Sequence, residues 1–409
     1  MPANAISQFT LPGGLRLVCL HVRRPVGIFG FTVAAGSRHE LTPDMHGLAH
    51  FVEHTIFKGT AKRRACHINS RMEAVGGELN AFTTKEEITF YSVFPRGNMQ
   101  RAAELLADLA VNASFLAREL EKESEVVREE ISSYLDTPSE LVFDEFENLL
   151  FEGTSLGHAI LGTEESLKGF TSEVCLNYVK RHFTSAKMVL FYAGSESPER
   201  VRATVERLFA ALPRTEAATG SISPIGPARE PFNIARAIDS HQAHTVMGVR
   251  VPGQFAPERP ALSLLTNIIG GPGMNSRLNT ELREHRGLVY SADASLSLMA
   301  DCGLFTAYFG CHPDDTDRCS ELTLGIIRDL ASNPLTPRRL AAAKKQYLGQ
   351  LAVAADSLEQ NALSIAHSQL ITGRIPSPEQ TVAEINALTA DDLMHAASLL
   401  LSPSTLTLR

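Results

Sequence analysis

The sequence predicts an α+β protein made of two related halves, and three observations support this prediction. Strand-like and helix-like patterns both occur along the first part of the chain. Residues 170–190 align without gaps to residues 388–408, and each copy reads as a Thr or Ser N-cap, a helix and a short strand. Residues 213–230 are rich in Pro, Gly, Ser and Thr, which is typical of a linker. We therefore divide the chain into a first half, 1–212, this linker, and a second half, 231–409.

The pattern of apolar and turn-forming residues predicts the elements of the first half in order. They are a hairpin over 8–22 that turns at Pro12-Gly13-Gly14, a strand over 26–35, a helix that contains His50 and His54 and ends near Gly59, a helix over 63–75, two strands over 78–94, and helices over about 98–113, 117–135 and 138–151.

Composition is that of a soluble enzyme. The 409 residues carry a net charge of −8, which argues against nucleic acid as a partner. The six cysteines form no CxxC pair and are expected to be reduced thiols. No apolar run approaches the roughly 18 residues that cross a membrane, and the N-terminus resembles neither a signal nor a transit peptide. We expect a cytoplasmic protein that does not bind membranes.

The segment His50-Phe51-Val52-Glu53-His54 is the main candidate for chemistry. In a helix, His50 and His54 lie one turn apart on one face, and two such imidazoles can bind one Zn2+. Glu53 borders this face and could take a proton from a metal-bound water, whose pKa Zn2+ lowers to about 7. The spacing is that of the inverted zinc-peptidase motif, H-x-x-E-H. The alternative is a pair of hydrogen-bonded core histidines on an apolar helix.

A catalytic zinc usually has three protein ligands, so a further ligand is expected. The predicted helix over 117–135 offers Glu123 and Glu130, which lie two turns apart on one face. Glu130 has apolar neighbours, and a carboxylate in such surroundings needs a partner such as a metal. These arguments do not choose between Glu129 and Glu130, and a solvated acidic face is a further alternative.

These motifs together resemble the insulinase-type (pitrilysin, M16) metallopeptidases, particularly short bacterial members similar to the mitochondrial processing peptidase β subunit. The resemblance rests on the H-x-x-E-H segment, on Gly77-Glu78-Leu79-Asn80-Ala81-Phe82-Thr83, and on the Glu123 and Glu130 pair. It implies that His50, His54 and Glu130 bind one Zn2+ per chain and that Glu53 is the catalytic base. It also implies that Glu123 supports the site without binding the metal.

The resemblance implies a substrate-binding role for two further groups of residues. Asn80 and Ala81 match a segment of an edge strand that contacts the substrate, although they could simply form a turn into a strand. Residues 270–291 contain the pattern Leu-Arg-Glu-x-x-Gly-Leu-x-Tyr, in which Arg283 and Tyr290 match residues that contact substrate. A guanidinium can bind a peptide carbonyl, and a phenol can stabilise an oxyanion. The alternative is a surface Arg–Glu pair and a core tyrosine.

The resemblance further implies that each half is a mainly antiparallel β-sheet with helices packed on one face, and that the halves enclose a cleft. The implied activity is a zinc-dependent endopeptidase that hydrolyses extended peptides or unfolded segments, and a homodimer is expected. Two alternatives are a dedicated precursor- or leader-processing peptidase and a non-catalytic subunit of a hetero-oligomer.

Overall fold

The structure, a computed structural model, describes residues 5–214 and 225–409, which form two compact units. The first unit comprises the chain up to Ser132, the chain from His158 to the linker, and Ala354–Ile375. The second comprises Ser133–Gly157, the chain from the linker to Val353, and Pro376–Arg409. The central part of the predicted linker, residues 215–224, lies outside the described residues.

Strands and helices follow one another along the described chain, and the elements predicted for the first half are present. The strands are β1 (Ala5–Thr10), β2 (Arg16–His21), β3 (Val26–Val33), β4 (Glu78–Thr83), β5 (Ile88–Pro95), β6 (Met188–Gly194), β7 (Asn233–Arg236), β8 (Ala243–Val251), β9 (Val289–Leu298), β10 (Gly303–Cys311) and β11 (Ser404–Leu408). The helices are α1 (Leu48–Ile56), α2 (Ala65–Glu73), α3 (Met99–Asn112), α4 (Ala117–Leu135), α5 (Pro138–Leu150), α6 (Glu164–Leu167), α7 (Ser172–His182), α8 (Pro198–Leu208), α9 (Arg259–Gly270), α10 (Thr316–Ser332), α11 (Pro337–Ala354), α12 (Leu358–Ile371), α13 (Pro378–Ala387) and α14 (Ala390–Ser398).

Within the described residues, the first unit has a sheet with the strand order β1-β2-β6-β3-β5-β4. All neighbouring strands are antiparallel except β2 and β6. The hairpin of β1 and β2 turns where the sequence predicts, because Gly13 and Gly14 adopt the positive φ angles that this turn requires. Strand β4 forms one edge of the sheet, and this position becomes important for the site.

The second unit repeats the order of five of these strands as β7-β11-β8-β10-β9, and among the described strands it has no counterpart of β1. In each unit the strand that follows the repeated helix, β6 or β11, pairs with one parallel and one antiparallel neighbour. The repeated helices, α7 and α14, begin after Thr171 and Thr389, whose hydroxyls accept a hydrogen bond from the first turn. The predicted repeat and the predicted α+β class with two related halves are therefore confirmed.

Helices cover both faces of each sheet, whereas the resemblance implies helices on one face. In the first unit, α1, α3, α7 and α8 pack on one face around Phe31 and Phe90, and α12 packs on the other face against Val18 and Phe191. In the second unit, α9, α10 and α14 pack on one face and α5 on the other. The central strands β3, β6 and β10 are buried at almost every position, so the side chains that alternate in direction along them provide two apolar faces for this packing.

The two added helices belong to the opposite half of the sequence. Helix α5 precedes the linker but packs in the second unit, and α12 follows the linker but packs in the first. Polar contacts fix α12 in the first unit, since Tyr91 donates a hydrogen bond to Glu359 (2.7 Å) and His367 lies 3.2 Å from Glu87. The division at 212 and 231 thus separates the sequence repeats, whereas the compact units exchange two helices.

The buried His182 and the partly buried His39 make acid sensitivity an expected property of the first unit. Burial, with smaller effects from Lys187 and other nearby cations, lowers the pKa of His182 to about 3 and that of His39 to about 4. An unfolded histidine takes up a proton near pH 6.5. Because the folded state resists this protonation, the contribution of these residues to stability is present above pH 6.5 and is lost as the pH falls below it.

We therefore expect acid to destabilise the wild type more than a His182→Asn variant, which has no imidazole to protonate. The free energy of unfolding of the wild type, relative to the variant, should fall by about 2 kcal/mol between pH 7.5 and pH 5. Urea unfolding of both proteins at the two pH values measures this difference. An identical loss of stability in both proteins would contradict the burial of a neutral His182.

Candidate metal centre and active site

Helix α1 carries the H-x-x-E-H segment and has one apolar face. Leu48, Phe51, Val52 and Ile56 are fully buried in the core of the first unit. The helix packs against β4, β5 and α7, which fixes its rotation about its axis. His50 is 7% exposed, and the rings of His50 and His54 lie next to each other with centroids 4.5 Å apart.

A buried carboxylate anchors the N-terminus of α1. The helix begins after Gly47, which has a φ of 93° and no side chain that could cap it. Glu40 takes this role, since it accepts hydrogen bonds from the backbone N–H groups of Gly47 (2.8 Å) and Ala49 (2.7 Å). His158 Nε2 lies 3.1 Å from the same carboxylate. A negative charge is favourable at this end of a helix, and here it holds the turn that leads into His50.

Replacing Glu40 with Gln is expected to destabilise the protein by about 1–3 kcal/mol. The amide would turn an N–H group towards one of these donors and leave a buried polar group without a partner. The free energy of unfolding in urea measures the effect, and Glu164→Gln on the exposed surface of α6 provides the control. A loss no larger than that of the control would show that Glu40 does not anchor α1.

Three side chains of the first unit converge on one point. His50 Nε2 lies 3.7 Å and His54 Nε2 lies 3.4 Å from Glu130 Oε2, and the three ligand atoms all lie within 4.8 Å of one another. Zinc ligands at bond lengths of 2.0–2.2 Å in a tetrahedron are about 3.4 Å apart. The nitrogen and oxygen donors thus have both the chemistry and the spacing that fit Zn2+.

The structure distinguishes the two neighbouring glutamates on α4. Glu130 directs its carboxylate to the two histidines, whereas Glu129 is exposed to solvent. Their directions on a helix differ by about 100°, so only one of them can face α1. Glu130 is therefore the residue that joins the histidine pair in the structure.

Electrostatics act in opposite directions on the two imidazoles, because they favour the neutral ring of His50 and the protonated ring of His54. Burial and the neighbouring His54 lower the pKa of His50 to about 3, so its ring is neutral at pH 7. For His54, burial opposes protonation, but the hydrogen bond to Glu123 and the charge of Glu130 outweigh it and raise the pKa. In the zinc-bound state, Zn2+ itself would oppose that protonation, because a metal-binding imidazole must be neutral.

Glu123 fixes the orientation of His54. Its Oε1 lies 3.0 Å from His54 Nδ1, which leaves Nε2 directed towards Glu130. Its other oxygen forms an ion pair with Lys58 at 2.7 Å. Burial alone would raise the pKa of Glu123, but these two partners lower it, so the group stays a carboxylate. A carboxylate bound to the second nitrogen of a histidine is typical of metal sites, as the predicted supporting role requires.

Glu53 lies beside the three converging groups and has a partner that sequence reasoning missed. The hydroxyl of Thr83, at the end of β4, donates a hydrogen bond of 2.7 Å to Glu53 Oε2. Burial raises the pKa of Glu53, while this hydrogen bond and the neighbouring His54 oppose the rise. The alternation of a strand places Thr83 on the same face as Ala81, but its contact with Glu53 depends on how β4 packs against α1, which the sequence pattern does not show.

A cleft of about 530 Å3 opens beside Glu53 and His54. Asn80 and Ala81 line it, so the structure brings these two predicted residues to the candidate site. They lie within β4, not in a turn, and among the described strands β4 pairs only with β5. The other side of β4 therefore offers backbone N–H and C=O groups that a further extended chain could bind.

Arg283 and Tyr290 lie together in the second unit. The Arg283 guanidinium stands 5.7 Å from the centroid of the Tyr290 ring, and one of its nitrogens is 3.9 Å from the sulfur of Met274. Tyr290 is 80% exposed, so the alternative of a core tyrosine is wrong. Both side chains can reach a ligand in solvent, and their participation in the site of the first unit stays a prediction.

Comparison with known proteins gives consistent matches along the chain. The family model described as insulinase (peptidase family M16) matches residues 24–164, and the peptidase M16 inactive domain matches residues 169–347. An uncharacterized zinc protease of Mycobacterium leprae is 32% identical, and the match covers 97% of this chain and 89% of the relative. YmxG of Bacillus subtilis, also an uncharacterized zinc protease, is 31% identical over 94% and 92% of the two chains.

Two solved structures show the same fold. One, described as a peptidase M16 inactive domain from Pseudomonas fluorescens, has a TM-score of 0.91 at 18% identity and covers 99% of this chain and 97% of its own. The other, a protease from Helicobacter pylori, has a TM-score of 0.91 at 19% identity and covers 99% and 100%. In the described part of the chain, no helix has both the length and the apolarity to cross a membrane. The family models and the relatives that match nearly the whole length of this chain show that it belongs to the insulinase (M16) peptidase family and is of its short bacterial type.

Proposed function

We propose that this protein is a zinc-dependent endopeptidase that hydrolyses extended peptides or unfolded segments. The observation that carries the proposal is the convergence of His50, His54 and Glu130 beside the carboxylate of Glu53. Relatives named as uncharacterized zinc proteases support a peptidase role for the family member described here. We propose one Zn2+ per chain, held by the three converging groups.

The chemistry that a bound Zn2+ supplies at such a site is polarisation of the scissile carbonyl and acidification of water. The Glu53 carboxylate takes a proton from the attacking water, whose oxygen forms a bond to the carbonyl carbon. Glu53 then gives this proton to the departing amine nitrogen as the C–N bond breaks. We assign to Tyr290 a hydrogen bond to the oxyanion and to Arg283 a contact with a substrate carbonyl or carboxylate.

The edge of β4 is the proposed binding surface for the substrate backbone. An extended peptide can add a strand next to Asn80 and Ala81, with main-chain hydrogen bonds that depend little on its sequence. Folded proteins have few such free strands, so unfolded segments are the better substrates. We further propose that the active form is a homodimer in which each chain has a complete set of these residues.

Hydrolysis of a peptide library by the purified chain tests this proposal and its alternatives. Metal-free protein should be inactive, and added Zn2+ should restore cleavage at many sites in unstructured peptides. Cleavage at one dominant site would instead indicate a dedicated precursor- or leader-processing peptidase. Absence of cleavage by the zinc-loaded chain would contradict the proposal and favour a non-catalytic subunit of a hetero-oligomer.

A further inference from the structure

One hydrogen bond connects the candidate base to the edge strand. Thr83 Oγ1 donates to Glu53 Oε2 at 2.7 Å, although the two residues are 30 positions apart in the sequence. Among the described residues, nothing forms a hydrogen bond with the other oxygen, Oε1. The two oxygens of Glu53 therefore differ: one is held and the other is available.

The fold directs Thr83 towards α1. Along β4, Ala81 and Thr83 lie on one face, and their register partners on β5 are Phe90 and Ile88, which are both core residues. The turn after β4 is fixed because the Thr84 N–H group donates to the carbonyl of Glu87 at 2.8 Å. A threonine in a strand also has few χ1 rotamers, so the position of its hydroxyl is well defined.

We propose that Thr83 is a positioning residue for Glu53, whose hydroxyl holds Oε2 and so selects Oε1 as the oxygen that exchanges the proton. This inference rests on the proposed role of Glu53 as the base. A glutamate side chain has three rotatable bonds, and holding one oxygen removes most of its freedom before the substrate arrives.

Thr83 also connects the position of Glu53 with that of the bound substrate. It belongs to the same strand as Asn80 and Ala81, next to which the peptide is proposed to bind. A peptide paired with β4 would thus lie in a fixed register with the hydroxyl that orients Glu53. The strand that binds the backbone of the substrate and the donor that aligns the base are a single rigid element.

The test compares zinc-loaded wild type with Thr83→Val and Thr83→Ser. Valine keeps the shape and strand preference of threonine but lacks the hydroxyl, whereas serine keeps the hydroxyl. We expect Thr83→Val to lower kcat by about 10- to 100-fold with KM and zinc content unchanged, and we expect Thr83→Ser to restore most of the loss. Thr89→Val on β5 removes another hydroxyl hydrogen bond of the same sheet, that to Thr32 (2.9 Å), and should leave kcat unchanged.

A crystal structure of zinc-loaded Thr83→Val provides a readout that does not depend on activity. We expect more than one rotamer of Glu53 in the variant and a single one, bonded to Thr83, in the wild type. An unchanged single rotamer, a wild-type kcat in Thr83→Val, or failure of Thr83→Ser to restore kcat would each overturn the inference. An inactive wild type would instead contradict the proposed function, and the Glu53 rotamers would then still decide the role of Thr83.

Discussion

Replacement of Glu53 by Gln is expected to lower kcat on an unstructured, internally quenched peptide by about 10²- to 10⁴-fold. Glutamine has the shape of glutamate and can still accept the hydrogen bond from Thr83, but it cannot take a proton from water. Zinc content should stay at the wild-type level, because His50, His54 and Glu130 are unchanged. Fluorescence assays and metal analysis of the same samples measure both quantities.

A control for this prediction is Glu129→Gln, which removes an exposed carboxylate from α4 that is not among the converging groups. Its kcat should equal that of the wild type. Equal activity of the wild type and Glu53→Gln would place the hydrolysis at another site or in a contaminating enzyme.

Replacement of Glu130 by Gln is expected to weaken zinc binding more than any other single change on α4. The variant loses the negative charge of a carboxylate that lies 3.4 Å from His54 Nε2 and 3.7 Å from His50 Nε2. Glu123→Gln alters the partner of His54 and the ion pair with Lys58 but leaves the three converging groups in place, and it should weaken zinc binding by about 10- to 100-fold. Glu130→Gln should exceed that range. Competition with a chelator of known affinity gives the dissociation constant of each protein.

The matched control is again Glu129→Gln, which should bind zinc as tightly as the wild type. From the geometry, we expect the zinc dissociation constant to rise most in Glu130→Gln, less in Glu123→Gln and not at all in Glu129→Gln. A larger effect of Glu129 than of Glu130 would mean that α4 presents a different face to α1.

Some features of the fold and of the candidate site follow directly from the sequence, because local periodicity determines them. The spacing of His50 and His54 places both rings on one face of any helix, and the structure has that helix at Leu48–Ile56. The repeat was likewise visible, since an N-cap threonine, a helix and a strand are all local signals. The structure brings Asn80 and Ala81 to the cleft beside Glu53.

Other features depend on contacts between distant segments, about which periodicity carries no information. Glu129 and Glu130 are equivalent until the position of α4 relative to α1 is known. The role of Thr83 requires the end of β4 to lie next to Glu53, which is a tertiary contact. The exchange of α5 and α12 between the units cannot be predicted from the sequence either. An amphipathic pattern shows that a helix packs against a core, but it does not show against which sheet.

Turnover by the purified chain alone tests the central claim most directly. The protein would be loaded with Zn2+, its metal content measured, and its hydrolysis of an internally quenched, unstructured peptide followed next to that of Glu53→Gln. We expect one Zn2+ per chain in both proteins, hydrolysis by the wild type, and near-complete loss of hydrolysis in the variant. Bound Zn2+ without any hydrolysis by the wild type would contradict the claim that this chain is a self-sufficient peptidase.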